Sequence, residues 1–176
     1  MSFEKFNIGI DFGGVLSSHD VNIGAEHVNT AIDMPFAMEN LMKLKGLGHK
    51  LFLISFCGKA RAIETLQSLK ESMITESMSC ADIFDEIFFV KDRKNKKELC
   101  EYLNCHFMVD DREDILVHVV DSLCKTIPIL YGSEETTLAN AKVASDWNKV
   151  TDLITATPHF VTNLNKEKPI KMIYDI

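Results

Sequence analysis

Acidic and hydroxyl side chains follow three separate apolar runs of this 176-residue chain. They are Asp11 after residues 6–10, Ser55 after residues 50–54, and the Asp110-Asp111 pair after residues 106–109. Taken singly, each has an ordinary structural role, because Asp is common in turns and Ser is common at helix starts. Their recurrence at three strand ends indicates a shared site instead. Carboxylates can bind a divalent cation or act as nucleophiles.

The elements that must position these side chains alternate along the sequence. Five short apolar runs predict strands, at 6–10, 50–54, 87–90, 106–109 and 126–131. Five segments with helical spacing follow them, at 35–47, 59–70, 96–103, 113–123 and 145–154. Continuous apolar runs are typical of strands buried on both faces of a parallel sheet. The pattern therefore predicts an α/β fold, a three-layer doubly wound parallel sheet of about five strands, in which strand ends converge on one ligand site.

The length predicts a single domain over residues 1–176. Residues 16–34 are polar and show neither the helical nor the strand spacing of apolar residues, so we expect a flap over the end of the first strand. Residues 71–85 are too few for an independent cap domain, and this predicts an open site with a minimal cap. The tail, residues 156–176, contains Pro158 and Pro169 and is assigned no role beyond packing or self-association, so a homo-oligomer stays open.

Composition and charge exclude several functional classes. The net charge of −7 argues against a general nucleic-acid binder. The basic run from Lys91 to Lys97 is, taken as a whole, expected to be a solvated face. The sequence has no apolar stretch long enough to cross a bilayer and no signal-peptide core, so we expect no membrane partner. Five cysteines without a CxxC pair predict free thiols and a cytoplasmic location, and Cys57 is expected to be a packing residue.

Four motifs resemble those of the haloacid-dehalogenase-like (HAD) superfamily. IGIDFGGVL is similar to the first motif, hhhDxDx(T/V), and FLIS to the second, a strand that ends in Ser or Thr. NKKELCEYLNCHFMVDD is similar to the third and fourth, a Lys opening a helix and an acidic pair after a strand. The resemblance runs from about Phe6 to Tyr131. It implies the HAD fold and a Mg²⁺-dependent phosphatase that acts on a small phosphomonoester or on an exposed terminal phosphate.

The resemblance also implies catalytic and phosphate-binding roles. Asp11 matches the family nucleophile, which forms an aspartyl-phosphate. Ser55 would donate a hydrogen bond to a phosphate oxygen, and Lys96 would neutralise Asp11 and the transferring group. Lys97 is the competing candidate for the lysine, and Gly14 is a further candidate phosphate-binding residue.

The implied cofactor is Mg²⁺. Asp11 and Asp111 are the expected carboxylate ligands, with Asp110 either a direct ligand or a residue behind them. The backbone carbonyl of Gly13 would supply a further ligand, as the second position of the first motif does in the family.

Two departures separate this chain from the family pattern. Gly13 stands where active phosphatases carry a second Asp, the general acid and base, so turnover is expected to be slow or specialised. His19 or Asp20 on the flap would be the substitutes for that acid. In the fourth motif Ile115 stands where an acid is frequent, with Asp114 one residue early.

Two other functions stay open. The first is a catalytically impaired HAD domain that binds phosphate ligands or a protein partner, because Gly13 removes one catalytic group. The second is haloacid dehalogenation, which also uses an Asp nucleophile, although the flap is short for the helical cap of such enzymes.

Overall fold

The computed structural model describes residues 5–18, 30–158 and 164–176. The strands are β1 (Asn7–Ile10), β2 (Lys50–Phe56), β3 (Met73–Thr75), β4 (Met78–Ser79), β5 (Glu86–Val90), β6 (Phe107–Asp110), β7 (Ile127–Tyr131) and β8 (Lys142–Ala144). The α-helices are α1 (Ala37–Gly46), α2 (Lys59–Glu71), α3 (Asn95–Tyr102), α4 (Glu113–Val120) and α5 (Trp147–Thr155). Cys80–Ile83 and Ile170–Met172 form short 3-10 helices.

Six of the strands form one parallel sheet in the order β5-β2-β1-β6-β7-β8. After β1 the chain builds outward through β2 and β5, then returns to place β6 on the other side of β1. The sheet therefore has its topological switch point between β1 and β6. In open α/β sheets, ligands bind in the crevice beyond the strand ends at such a point.

The core divides into two apolar layers, one on each face of the sheet. Side chains alternate along β2, so that Leu51 and Leu53 face one layer while Phe52 and Ile54 face the other. Helices α1, α2 and α5 contribute to the first layer, and α3 and α4 contribute to the second. This arrangement confirms the predicted three-layer doubly wound fold.

The observed elements lie close to the predicted ones, with one addition to the sheet. The prediction of about five strands missed β8, which pairs with β7 through only three residues and has one buried side chain, Ala144. A strand this short at a sheet edge does not produce an apolar run. Ser55 lies one residue before the end of β2, which extends to Phe56.

The two segments expected to cover the site differ in what the structure describes. Residues 71–85 form the β3-β4 hairpin and a 3-10 helix that packs against α1 and α2. Most of the predicted flap, residues 19–29, lies outside the described residues.

The C-terminal tail covers one edge of the sheet. The amide of Tyr174 donates to the carbonyl of Phe89 at 2.9 Å, and the amide of Lys91 donates to the carbonyl of Met172 at 3.0 Å. These bonds satisfy backbone groups of the edge strand β5 and of the residue after it. Among the described residues, the structure has no helix with the length and apolar character needed to cross a bilayer.

Candidate active site

The switch point of the sheet brings two acidic residues together. Asp11 directly follows β1, and Asp110 is the last residue of the adjacent strand β6. The amide of Asp11 donates to the carbonyl of Val109 at 2.9 Å, which continues the pairing of the two strands. Both carboxylates are buried, and Asp110 has no exposed surface.

Lys96 lies between these two carboxylates. Its Nζ donates to Asp11 Oδ1 at 2.8 Å and to Asp110 Oδ2 at 2.6 Å, and its side chain is 1% exposed. The second position of α3 directs this side chain inward. Lys97, one residue further along the helix, is half-buried and does not line the cleft that contains Asp11. The geometry therefore favours Lys96 over Lys97 as the lysine of the site.

The pKa values of this cluster show an excess of negative charge. Burial lowers the pKa of Lys96, but Asp11 and Asp110 outweigh that effect and raise it above its ordinary value. Burial raises the pKa of Asp110 to about 7; Lys96 lowers it, while the carboxylates of Asp11 and Asp111 raise it further. One lysine therefore does not balance three carboxylates.

The same three carboxylates fit a divalent cation. Asp11, Asp110 and Asp111 each place an oxygen within 4.8 Å of the others. Such oxygens are the ligands that Mg²⁺ prefers. Both oxygens of Asp110 already accept hydrogen bonds, one from Lys96 Nζ at 2.6 Å and one from the Arg112 amide at 3.0 Å. Asp110 is thus held in place, whereas Asp11 and Asp111 line the cleft and could bind an ion there.

A cleft of about 350 Å³ opens over these residues. Its wall contains five predicted site residues, Asp11, Gly13, Ser55, Lys96 and Asp111. The rest of the wall is formed by Phe56, Cys57, Gly58, Arg61, Arg93, Arg112 and Ile115. The structure therefore brings together residues from four strand ends or helix starts that are far apart in sequence.

Gly14 is placed differently. It lines a neighbouring cleft that also includes Asp111, Tyr131 and Asp146. Its amide already donates to the carbonyl of Ser17 at 2.8 Å. The phosphate contact predicted for Gly14 stays a prediction, and its backbone amide is engaged elsewhere.

Three arginines of the cleft were not predicted from the sequence. Arg61 lies in the first turn of α2, where an arginine resembles an ordinary surface residue. Arg93 belongs to the basic run expected to be solvated, and Arg112 follows the acidic pair. The basic run varies in solvent exposure, because Lys94 is exposed whereas Lys96 is buried. The sequence feature that could have identified Arg93 and Arg112 is their position close to motif residues.

Other sequence candidates lie outside the chemistry of the cleft or outside the described residues. Cys57 is 9% exposed at the cleft wall, and burial raises the pKa of its thiol, so it stays protonated at neutral pH. Asp114 is largely exposed and pairs with Arg112 at 2.9 Å. His19 and Asp20, the proposed substitutes for the missing acid, lie outside the described residues.

Comparison with solved structures identifies the fold. D,D-heptose 1,7-bisphosphate phosphatase from B. bronchiseptica, complexed with magnesium and phosphate, matches with a TM-score of 0.58 and 14% identity over 85% of this chain and 97% of that one. The corresponding Burkholderia thailandensis enzyme gives 0.57 and 15%, over 87% and 100%. An uncharacterized protein from Listeria monocytogenes serotype 4b gives 0.58 and 15%, over 85% and 96%.

No family model and no curated protein matches the sequence. The structural likenesses, together with the sheet order, confirm that the chain shares the α/β fold of these two phosphatases.

Proposed function

We propose that this chain is a Mg²⁺-dependent phosphatase that hydrolyses a phosphomonoester through an aspartyl-phosphate on Asp11. The observation that carries the proposal is the position of the Asp11 carboxylate, which lies at the switch point of the sheet and is hydrogen-bonded to Lys96. Two proteins of the same fold are phosphatases, and one of them was crystallised with magnesium and phosphate. This supports the assignment of the reaction class.

Asp11, Asp111 and the carbonyl of Gly13 are the groups we propose to hold Mg²⁺. All three line the cleft, and the excess negative charge of the cluster favours a divalent cation. When bound, the ion would neutralise charge on the phosphate oxygens. Asp110 would orient Lys96 without binding the ion, since both of its oxygens accept hydrogen bonds.

The residues of the cleft can perform the two chemical steps. An oxygen of Asp11 attacks phosphorus and forms the acyl-phosphate bond, while the ester P–O bond breaks and the leaving oxygen takes a proton from water. Water then attacks the phosphorus of the acyl phosphate, and the bond from phosphorus to Asp11 breaks, which restores the carboxylate and releases inorganic phosphate. The proton that this water loses neutralises the hydroxide left by the first step. Lys96 and the hydroxyl of Ser55 would donate hydrogen bonds to the phosphate oxygens in both steps.

Gly13 is the reason why we expect a low turnover rate. General acid-base catalysis contributes about 10²–10⁴-fold, and a glycine supplies none of it. The positive φ angle of the turn, 77°, belongs to Gly14, so Gly13 is not needed for a left-handed backbone angle. The loss of the acid is thus a chemical difference rather than a consequence of backbone strain. We propose that the natural substrate has a leaving group that departs without protonation, or is turned over slowly.

A substrate panel tests the proposal. Phosphate release from an aryl phosphate and from an alkyl phosphate is measured with Mg²⁺ for the wild type and for Asp11→Asn. We expect clear turnover of the aryl ester, much less of the alkyl ester, and none by the variant. Absence of activity on both esters, with Mg²⁺ still bound, would support the alternative of a domain that binds phosphate ligands without turnover.

The cellular setting follows from the thiols. All five cysteines are free and buried, at positions 57, 80, 100, 105 and 124. We propose a reducing compartment, the cytoplasm, with a phosphorylated small molecule as the partner.

A further inference from the structure

Three arginines form the rim of the cleft that contains Asp11. The side chains of Arg93 and Arg112 are 41% and 44% exposed, whereas that of Lys96 is 1% exposed. The arginines therefore lie at the mouth of the cleft and Lys96 lies at its base. Within the described part of the chain, Arg61 has no hydrogen-bond or ion-pair partner.

Neighbouring side chains hold two of these guanidinium groups in place. Arg112 donates two hydrogen bonds to Asp114, from Nε at 3.0 Å and from Nη2 at 2.9 Å. The same carboxylate lies 3.6 Å from Arg93 Nη1. The Arg93 guanidinium also lies over the ring of Phe56, with Cζ 5.1 Å from the ring centroid. Arg93 and Arg112 are thus oriented before a ligand arrives, which reduces the entropy lost on binding.

The charges of the cleft separate into a base and a rim. At the base, the three carboxylates outnumber the one lysine, Lys96, so the base of the cleft is suited to a divalent cation. At the rim, Asp114 compensates one of the three arginines, so two positive charges face the mouth. Groups that bind the transferring phosphate are already present at the base. The rim is therefore suited to a different anionic group of the same substrate.

We infer that the substrate is a compact phosphomonoester with a second anionic group, a phosphate or a carboxylate, that Arg61 and Arg93 bind at the rim. This inference rests on the proposed function, since it assigns the scissile phosphate to the base of the cleft. A long polyanion is disfavoured, because the chain as a whole carries a net charge of −7 and the positive charge is local.

The test compares two phosphonates that differ by one carboxylate. Binding of methylphosphonate and of phosphonoacetate is measured by calorimetry in excess Mg²⁺ for the wild type, Arg61→Gln and Arg93→Gln. We expect phosphonoacetate to bind the wild type about tenfold more tightly, a factor that corresponds to about 1.4 kcal/mol. Solvent at the half-exposed rim limits the gain to this size. Each variant should lose most of the difference in affinity between the two phosphonates.

Lys94→Gln is the matched control. Lys94 belongs to the same loop as Arg93 and is exposed, but it does not line the cleft. Equal affinity of the two phosphonates for the wild type, or an equal effect of Lys94→Gln and Arg93→Gln, would overturn the inference. Tighter binding of a 5′-phosphorylated tetranucleotide than of phosphonoacetate would also overturn it, since the substrate would then not be compact.

The same measurements separate this inference from the proposed function. Phosphonoacetate bound in an arginine-dependent way, by a protein that releases phosphate from no ester, would refute the phosphatase and leave the anion site standing. Turnover of simple aryl phosphates with no preference for a second anionic group would support the phosphatase and refute the anion site.

Discussion

Replacing Lys96 by Met removes the cation that lies between two buried carboxylates while keeping a side chain of similar length. Lys96 is 1% exposed and donates to Asp11 and Asp110 at 2.8 and 2.6 Å. Breaking a buried ion pair by removing one partner costs about 3–5 kcal/mol. Since a folded domain is stable by only about 5–15 kcal/mol, the loss would be a large part of the total. We expect Lys96→Met to lose about 3–5 kcal/mol in unfolding free energy when Mg²⁺ is chelated.

Mg²⁺ should restore part of this loss. Without the lysine, the cluster of three carboxylates has one more uncompensated negative charge and should bind the cation more tightly than in the wild type. A ligand at a hundred times its Kd stabilises a protein by about 2.7 kcal/mol. The assay is urea unfolding in EDTA and in excess Mg²⁺, followed by the fluorescence of the single tryptophan, Trp147, which is fully buried.

Lys97→Met is the matched control, because it removes the same charge from the adjacent helix position. It should cost less than about 1 kcal/mol, as expected for a charge outside a buried network. If Lys96→Met lost less than about 1 kcal/mol in EDTA, or if both variants lost the same amount, the assignment of Lys96 as the buried counter-ion would be refuted.

Three further predictions follow from individual contacts. Gly13→Asp should raise the turnover of alkyl phosphates, by up to about 10²–10⁴-fold, and an unchanged rate in a folded, Mg²⁺-binding variant would contradict the account of the missing acid. Burial, and to a lesser extent a second histidine, lowers the pKa of His49, whose Nδ1 accepts the amide of Phe6 at 3.0 Å. The unfolded histidine titrates near its ordinary pKa of about 6.5, so the stability of the protein should be full above that pH and fall as the pH drops below it. The unfolding free energy of His49→Gln should depend less on pH in this range. Trp147→Phe should cost about 1–3 kcal/mol in thermal unfolding, because the indole Nε1 donates at 2.8 Å to the carbonyl of Val15 in the loop after β1.

The parts of the fold that local pattern determines were predicted well. Buried parallel strands are continuous apolar runs, and helices between them show their own period, so the alternation gave the fold class and the approximate bounds of five strands and five helices. The short β3-β4 hairpin was not predicted. The strand β8 was missed because three residues at a sheet edge bury too little to leave a pattern. For the C-terminal tail the sequence predicted no more than packing or self-association. Its bonds to β5 could not be predicted, because backbone groups make them and no residue type encodes them.

The residues of the candidate site likewise divide into those that the sequence predicted and those that only the structure brought together. The sequence by itself predicted Asp11, Ser55 and the acidic pair, because each lies at a strand end and the motifs occur in a known order. It favoured Lys96 on the motif match and kept Lys97 as the competing candidate, since adjacent helix positions point about 100° apart and only packing on the sheet fixes the phase of the helix. Only the tertiary structure placed Lys96 against Asp11, 85 residues away in sequence. It also brought Arg61, Arg93 and Arg112 to one rim from a helix start and two loops, a convergence that depends on the order of the strands and not on any local spacing.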